Sequence, residues 1–512
     1  MSTANRVIKN TAFLYAKMGV TMFISLYTTR LILNSLGTTD FGIFNIVGGA
    51  IAMLGFLNTA MAGATQRFMS FSEGEGNQEK KKKVFNISLV LHFGIAIIVG
   101  IALLLTGYIF FNGVLNITTE RIFAAKVVYG SLIVSTVFTI MAVPYDAILN
   151  AHENMLYYSI IGIIESVLKL IVAIVVVNYT GDKLIIYGMM MSCVPLIIMI
   201  VMRIYCHKKY AECSISVAQN WDFSLMKEMT NFAGWNFLGV TSGLLGNYGN
   251  GIVMNHFFGT TVNAALGVAA QLNGQLMAFS NNLIKAVSPI IIKKEGESNR
   301  ESMIKYSFSG SKLSFYIFSF FAIPSIIEAP TILKLWLNVI PEWSIIFFQY
   351  QLIRTLIEQL TSLFSTSLSA IGSIKELNLI TAFFDLLTMP TLYVLFHLGF
   401  SPYWYYWVII IFMVLIVSGV KIYYCIKFCG LVFQDFVSKI LFPSLLICGV
   451  SFLAGYTISN CFSESYLKLG ACFLSTSMTL ISFAILYFDE NEKKIFFSIF
   501  NMFKAKIKYI HK

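Results

Sequence analysis

The feature that most restricts this chain is a succession of fourteen apolar stretches. They lie near 10–35, 41–66, 84–111, 122–149, 155–179, 183–206, 228–257, 262–290, 303–327, 344–370, 376–397, 403–426, 437–459 and 467–487. A helix of about 20 apolar residues crosses the roughly 30 Å of bilayer hydrocarbon. Such a helix also satisfies its own backbone hydrogen bonds where no water is available. Charge is correspondingly scarce, at 12% of 512 residues, where a soluble protein carries about 25%. The expectation is an all-α polytopic membrane protein with about 14 transmembrane helices, and twelve is the alternative.

Every second loop is basic. Arg67 with Lys80 to Lys83, Arg203 with Lys208 and Lys209, Lys293 with Lys294, Arg300 and Lys305, Lys421 with Lys427, and Lys504 to Lys512 all fall on one side. The opposite loops ("LGTTD", "FNGVLNITTER", "NYTGDK", "FFGTTVNA", "HLGFSPYW", "CFSESYLK") hold one basic residue each or none. The positive-inside rule places both termini in the cytoplasm, which requires an even number of spans. The net charge of +11 is therefore read as membrane orientation and not as a nucleic-acid surface. The N-terminal "MSTANRVIKN" lacks a small-residue cleavage motif and is read as retained. The eight cysteines form no CxxC pair and read as small apolar residues, with no metal site expected.

One polar loop is written twice. "FSEGEGNQEKKKK" at 71–83 and "KKEGESNRESMIK" at 293–305 align at an offset of 222. The same offset brings Gly37, Thr38 and Thr39 onto Gly259, Thr260 and Thr261. Six spans separate the copies, an even number, so the two halves run the same way through the membrane. That is a parallel repeat, the geometry of many alternating-access transporters. The expected layout is a first lobe at 1–206, a cytoplasmic linker at 207–228, a second lobe at 229–430, two added spans at 431–490 and a basic amphipathic cytoplasmic tail at 491–512. The tail mixes aromatics with lysines and suits an anionic leaflet.

These motifs carry a resemblance. "LGTTDFGIFNIV" after span 1, "EGEGN" after span 2 and "AVSPIIIKKEGE" closing span 8, on a fourteen-span plan, resemble the polysaccharide-transporter (Wzx-type) branch of the multidrug/oligosaccharidyl-lipid/polysaccharide (MOP) flippase superfamily. The resemblance implies two six-helix lobes in the bacterial inner membrane. It also implies movement of polyprenyl-diphosphate-linked oligosaccharide between leaflets, for O-antigen, capsule or exopolysaccharide synthesis. The expected partners are that lipid-linked substrate, membrane lipids, and polysaccharide polymerase and chain-length proteins, with no nucleic acid. No cofactor is expected, and coupling to a H+ or Na+ gradient is left open.

Ionisable groups inside spans cost at least about 2.5 kcal/mol on insertion scales, so each calls for a reason. Arg30 in span 1, Lys285 in span 8 and Arg354 in span 10 are the candidate contacts for a diphosphate, with snorkelling toward the outer interface as the competing reading of Arg30. A guanidinium suits that role through its planar bidentate fork. Gln271, Gln275 and Asn282 in span 8, with Asn247 and Asn250 in span 7, are candidates for sugar hydroxyls. Helix-to-helix hydrogen bonding is the competing explanation for these amides. Glu165 with Lys169, and Arg354 with Glu358, stand four apart and can pair on one helix face. These acids, Lys169, His92 and Asp385 are the coupling or ion-pair candidates. Gly239-x-x-x-Gly243 is read as a close-packing face, Arg67 as a loop anchor, and His152–Glu153 as helix-end polarity.

No HExxH, Gly-x-Ser-x-Gly or Walker lysine occurs, and the loops are too short to hold a catalytic domain. A non-enzymatic flippase is therefore the leading reading. A cation-coupled multidrug exporter of the same superfamily is the alternative, and a membrane-embedded polymerase or ligase stands behind both.

Overall fold

The computed structural model describes residues 3–53, 55–114, 118–337, 339–462, 465–488 and 493. The tail at 491–512 lies outside the described residues apart from Lys493. The helices run α1 (Thr3–Met53), α2 (Phe56–Glu75), α3 (Gln78–Ile109), α4 (Ile122–Ala151), α5 (Met155–Asn178), α6 (Lys183–Lys209) and α7 (Phe223–Gly296). They continue through α8 (Arg300–Ile327), α9 (Ala329–Trp336), α10 (Ser344–Gln359), α11 (Phe364–Ala370), α12 (Lys375–His397), α13 (Trp404–Ile409) and α14 (Val417–Tyr424). The last are α15 (Phe433–Phe436), α16 (Phe442–Ser459) and α17 (Ser465–Tyr487). No strand occurs among the described residues. Nine of their helical stretches are long and apolar enough to cross a membrane as they stand. Of the other expected spans, α1 holds the first and the start of the second, which continues in α2; the long bent α7 holds two, and the tenth is split between α10 and α11.

The chain divides into two compact units, Ala12–Val240 and Met1–Thr11 with Thr241–Lys512. In the unit of Ala12–Val240, α4 is central and packs on α2, α3 and α6. Val47, Leu103, Ala125, Val128 and Leu184 are fully buried there. A Cβ on Gly188 would stand 2.8 Å from Val128 Cγ2, so α6 approaches α4 closely only because that side chain is missing. At one end of this unit Arg121 donates to Asp40 Oδ1 at 2.9 Å and to Asp182 Oδ2 at 2.8 Å. The lone basic residue of the "FNGVLNITTER" loop thus ties down two neighbouring loops. Asp182 in turn caps α6 by accepting from the amides of Leu184 and Ile185.

In the unit from Thr241 onward, α8 packs on α10, α16 and α17, and α12 on α13 and α14. Span 10 is broken between Gln359 and Phe364, and the break is buried in protein, where irregular backbone is tolerated. The Leu363 amide donates to Ser311 Oγ at 3.2 Å across the turn. The small-residue face of span 7 continues past Gly243, at a spacing of three. A Cβ on Gly246 would stand 2.9 Å from the Asp385 carbonyl oxygen, and one on Gly249 2.8 Å from Met389 Sδ. Its partner is therefore α12.

The doubled sequence corresponds to doubled backbone. Gly37 has φ 76°, ψ 171° and Gly259 has φ 75°, ψ −173°, each interrupting its long helix at the same point of the repeat. This left-handed conformation is open to glycine at little cost. At the second loop Gly76 has φ 68° and Ser298 φ 57°. Asn77 and Asn299 then cap the following helices, accepting from the amides of Lys80 and Ser302, both at 3.0 Å. Glu79 and Glu301 lie in the first turns of α3 and α8, where the helix dipole favours a carboxylate. The repeat is a helix hairpin written twice.

Ser298 holds a position that Gly76 fills with glycine. Ser298→Gly should stabilise the protein by about 0.5–1 kcal/mol, and Gly76→Ser should destabilise it by a similar amount. Thermal melting of the purified variants checks both signs, and equal shifts in one direction would count against this account of the turns.

Candidate functional site

The bend at Gly259 folds the two halves of α7 so that both contribute to one cavity in the unit from Thr241 onward. The cavity has a volume of about 1080 Å³. Asn247 and Asn255 come from the first half, Asn263 and Asn273 from the second, and Gln351 and Arg354 from α10. Tyr405 and Tyr406 of α13 add to the wall with Tyr248 and His256 of α7, and among the described residues no carboxylate lines the cavity. Tyr406 is 1% exposed and its ring stacks on Tyr350 at 6.1 Å, so the aromatic wall is fixed in place. Asn273 is oriented by the Thr355 hydroxyl, which donates to its Oδ1 at 3.0 Å. Arg354 reaches Glu358 at a loose 3.9 Å, while its buried Nε has no hydrogen-bond partner. A guanidinium held this way retains donors for an anionic guest.

The expected residues distribute unevenly around this cavity. Arg354 and Asn247 line it. Asn250 is buried on another face of α7, where its Oδ1 accepts from the Thr388 hydroxyl at 3.1 Å. Gln271 and Gln275 are exposed, Lys285 and Asn282 are half-buried, and none of the four lines the cavity. Arg30 is exposed on α1. Asp385 accepts from Ser242 Oγ at 3.2 Å, and both Arg354 and Glu358 act on it electrostatically. His92 is fully buried, with Nδ1 donating to the Ser88 carbonyl at 2.8 Å. Lys169 pairs with Glu165 at 2.6 Å.

Sequence reasoning passed over Asn263, Gln351, His256 and the three tyrosines, Tyr248, Tyr405 and Tyr406. It also passed over a second cavity, of about 140 Å³, in the unit of Ala12–Val240. Lys17, Asp146, Tyr158 and Glu165 line it. Lys17 Nζ stands 4.3 Å from the Tyr158 ring centroid. Gly162 makes room for that lysine, since a Cβ there would lie 2.1 Å from Lys17 Cε. Lys17 and Asp146 are intramembrane charges that insertion cost alone would have flagged.

Two polar expectations change at the loop ends. His152 does not pair with its neighbour Glu153. Its Nδ1 is 3.4 Å from Glu73 Oε1, and its Nε2 is hydrogen-bonded to Glu212. Its ring stacks on Tyr210 at 4.2 Å. Burial by itself would favour the neutral imidazole, but the hydrogen bonds it donates to Glu212 and Glu73 outweigh it and raise the His152 pKa to about 9. Glu73, opposed by burial but hydrogen-bonded by His152 and Lys81, is lowered to about 2. Arg67, expected as a loop anchor, is instead 7% exposed on α2, with its guanidinium over the rings of Phe68, Phe71 and Phe232.

No family model and no curated protein matches the chain. Solved structures do. One is a MOP superfamily transporter from Pyrococcus furiosus whose binding pocket is described as reversed in polarity, suggesting a different function. It is 13% identical, with a TM-score of 0.70, over 84% of this chain and 96% of that one. A multidrug resistance MATE family transporter in an outward-facing conformation gives 14% and 0.70, over 84% and 98%. A MATE protein in a bent conformation gives 14% and 0.71, over 83% and 95%.

The fold is that of the MOP superfamily transporters. The chain is a multi-pass membrane protein of this MOP-type fold, and at such identity the likeness speaks for architecture alone.

Proposed function

We propose that this protein is a flippase that carries a polyprenyl-diphosphate-linked oligosaccharide across the bacterial cytoplasmic membrane by alternating access, with both termini in the cytoplasm. The observation that carries this reading is the lining of the large cavity, which among the described residues holds five amides, three tyrosines, one histidine, one arginine and no carboxylate. Amides pair with sugar hydroxyls as donor and acceptor at once, aromatic faces cover apolar sugar faces, and a guanidinium matches phosphate oxygens. The polyprenyl tail needs no cavity, because lipid solvates it.

The solved structures of similar fold include multidrug MATE transporters, which favours a second reading as a cation-coupled drug exporter. The absence of lining carboxylates weighs against a cationic cargo. Glu165 with Lys169, Glu358, His92 and Asp385 are the groups we assign to ion pairing or to coupling with a H+ or Na+ gradient. Polymerase and chain-length proteins are the proposed downstream partners.

Binding separates the two readings. Native mass spectrometry of the purified protein should show retention of a synthetic polyprenyl-diphosphate oligosaccharide in preference to a hydrophobic dication. Preference for the dication would overturn the proposal in favour of drug export.

A further inference from the structure

A third cavity, of about 560 Å³, opens where the start of α8, the α15–α16 junction and the end of α17 meet. Lys305, Lys312 and Lys439 line it, against the two carboxylates of Glu301 and Asp435. Lys312 is 5% exposed and donates to the Tyr487 carbonyl at 2.7 Å, which caps the end of α17 with a cation. Lys305 lies seven residues earlier, two turns away on the same face of α8, and is exposed. Lys439 approaches from the opposite wall, where Asp435 holds it at 3.1 Å. Ser309 and Ser438 add hydroxyls, and Phe308, Ile440 and Phe488 make the rest of the wall apolar.

A cationic mouth over an apolar wall is an amphiphile's site. The charge pattern assigns this end of the helices to the cytoplasmic side, whose leaflet carries anionic lipid. A lysine ammonium is a point charge that accepts phosphate from any direction, so it suits a headgroup of variable orientation. We propose that this cavity binds an anionic phospholipid, with its phosphate between Lys305, Lys312 and Lys439 and an acyl chain along Phe308 and Phe488. The site is separate from the substrate cavity and is independent of the cargo proposed for it.

The test is thermal melting of the full-length protein in neutral detergent while phosphatidylglycerol is titrated in. Phosphatidylcholine and inorganic phosphate serve as the other two arms. Phosphatidylglycerol should raise the midpoint saturably and the other two should not. Lys305→Gln/Lys439→Gln avoids the capping Lys312 and should weaken the apparent affinity by roughly 25-fold, at about fivefold per lysine. Lys208→Gln/Lys209→Gln, with the same change in charge elsewhere, should leave the affinity unchanged. A response to inorganic phosphate equal to that of the lipid would make this a free-anion site and overturn the lipid assignment. Equal titrations for both double variants and the parent protein would overturn the site itself.

Discussion

Replacing Arg354 by alanine should slow translocation of lipid-linked oligosaccharide by at least about tenfold while the protein still folds and inserts. Among the described residues Arg354 is the one arginine or lysine that lines the large cavity, and its buried Nε makes no hydrogen bond with them. A charge-assisted contact to phosphate is worth about 1.5–3 kcal/mol, so the loss at this step is roughly 10- to 100-fold. Arg354→Lys keeps the charge without the fork and should fall between the two. Arg67→Ala should fail differently. Its guanidinium lies over three phenylalanine rings and 3.7 Å from Glu228, so the variant should lose membrane-inserted protein, and activity per folded molecule should persist. Transport and protein level measured on the same membranes separate the outcomes. Equal specific activity in Arg354→Ala and the parent would remove the phosphate role.

Replacing His152 by alanine should destabilise the unit of Ala12–Val240 by about 3 kcal/mol. The change removes the imidazolium from Glu73, which keeps its pair with Lys81 at 2.7 Å, and from Glu212, only 2% exposed at its side chain. The pH dependence follows from the direction of the shift. The folded pKa of about 9 lies above the ordinary 6.5, so the contribution is fully present below pH 6.5 and is lost as pH rises through 9. The melting midpoint of the parent should therefore fall between pH 6.5 and pH 9, and the His152→Ala midpoint should fall less. Parallel profiles would show that His152 is not the responsible group. The network also fastens the segment that sequence reading took as a linker. Asn86 donates to the Ser214 carbonyl and accepts from the Ser216 amide, both at 2.9 Å.

Much of the fold was legible because the bilayer allows few solutions. An apolar run of 20 residues has little choice but a helix, so nine of the expected segments are helices long and apolar enough to cross as they stand, and the others fall within α1, α2, α7, α10 and α11. The doubled loop was legible as identity, and its physical basis then appeared in the paired backbone angles of Gly37 with Gly259 and Gly76 with Ser298. The site was less legible. In a helix of all-round apolar character no periodicity tells which face is lined, so Asn247 and Asn250, three residues apart, looked equivalent. One faces the cavity and the other holds Thr388. Tyr405 and Tyr406 were hidden among 25 tyrosines and 45 phenylalanines. Arg67 misled because the positive-inside rule counts charges near span ends and ignores what packs on them.

The central claim is tested most directly by transport itself. The purified protein would be reconstituted into proteoliposomes holding a fluorescent polyprenyl-diphosphate oligosaccharide, with a membrane-impermeant glycosidase added outside. The account predicts that the protected inner-leaflet fraction becomes cleavable with the parent protein, at least about tenfold more slowly with Arg354→Ala, and stays protected in protein-free vesicles. Equal protection with and without the parent protein, in vesicles where the same preparation moves a cationic drug, would contradict it.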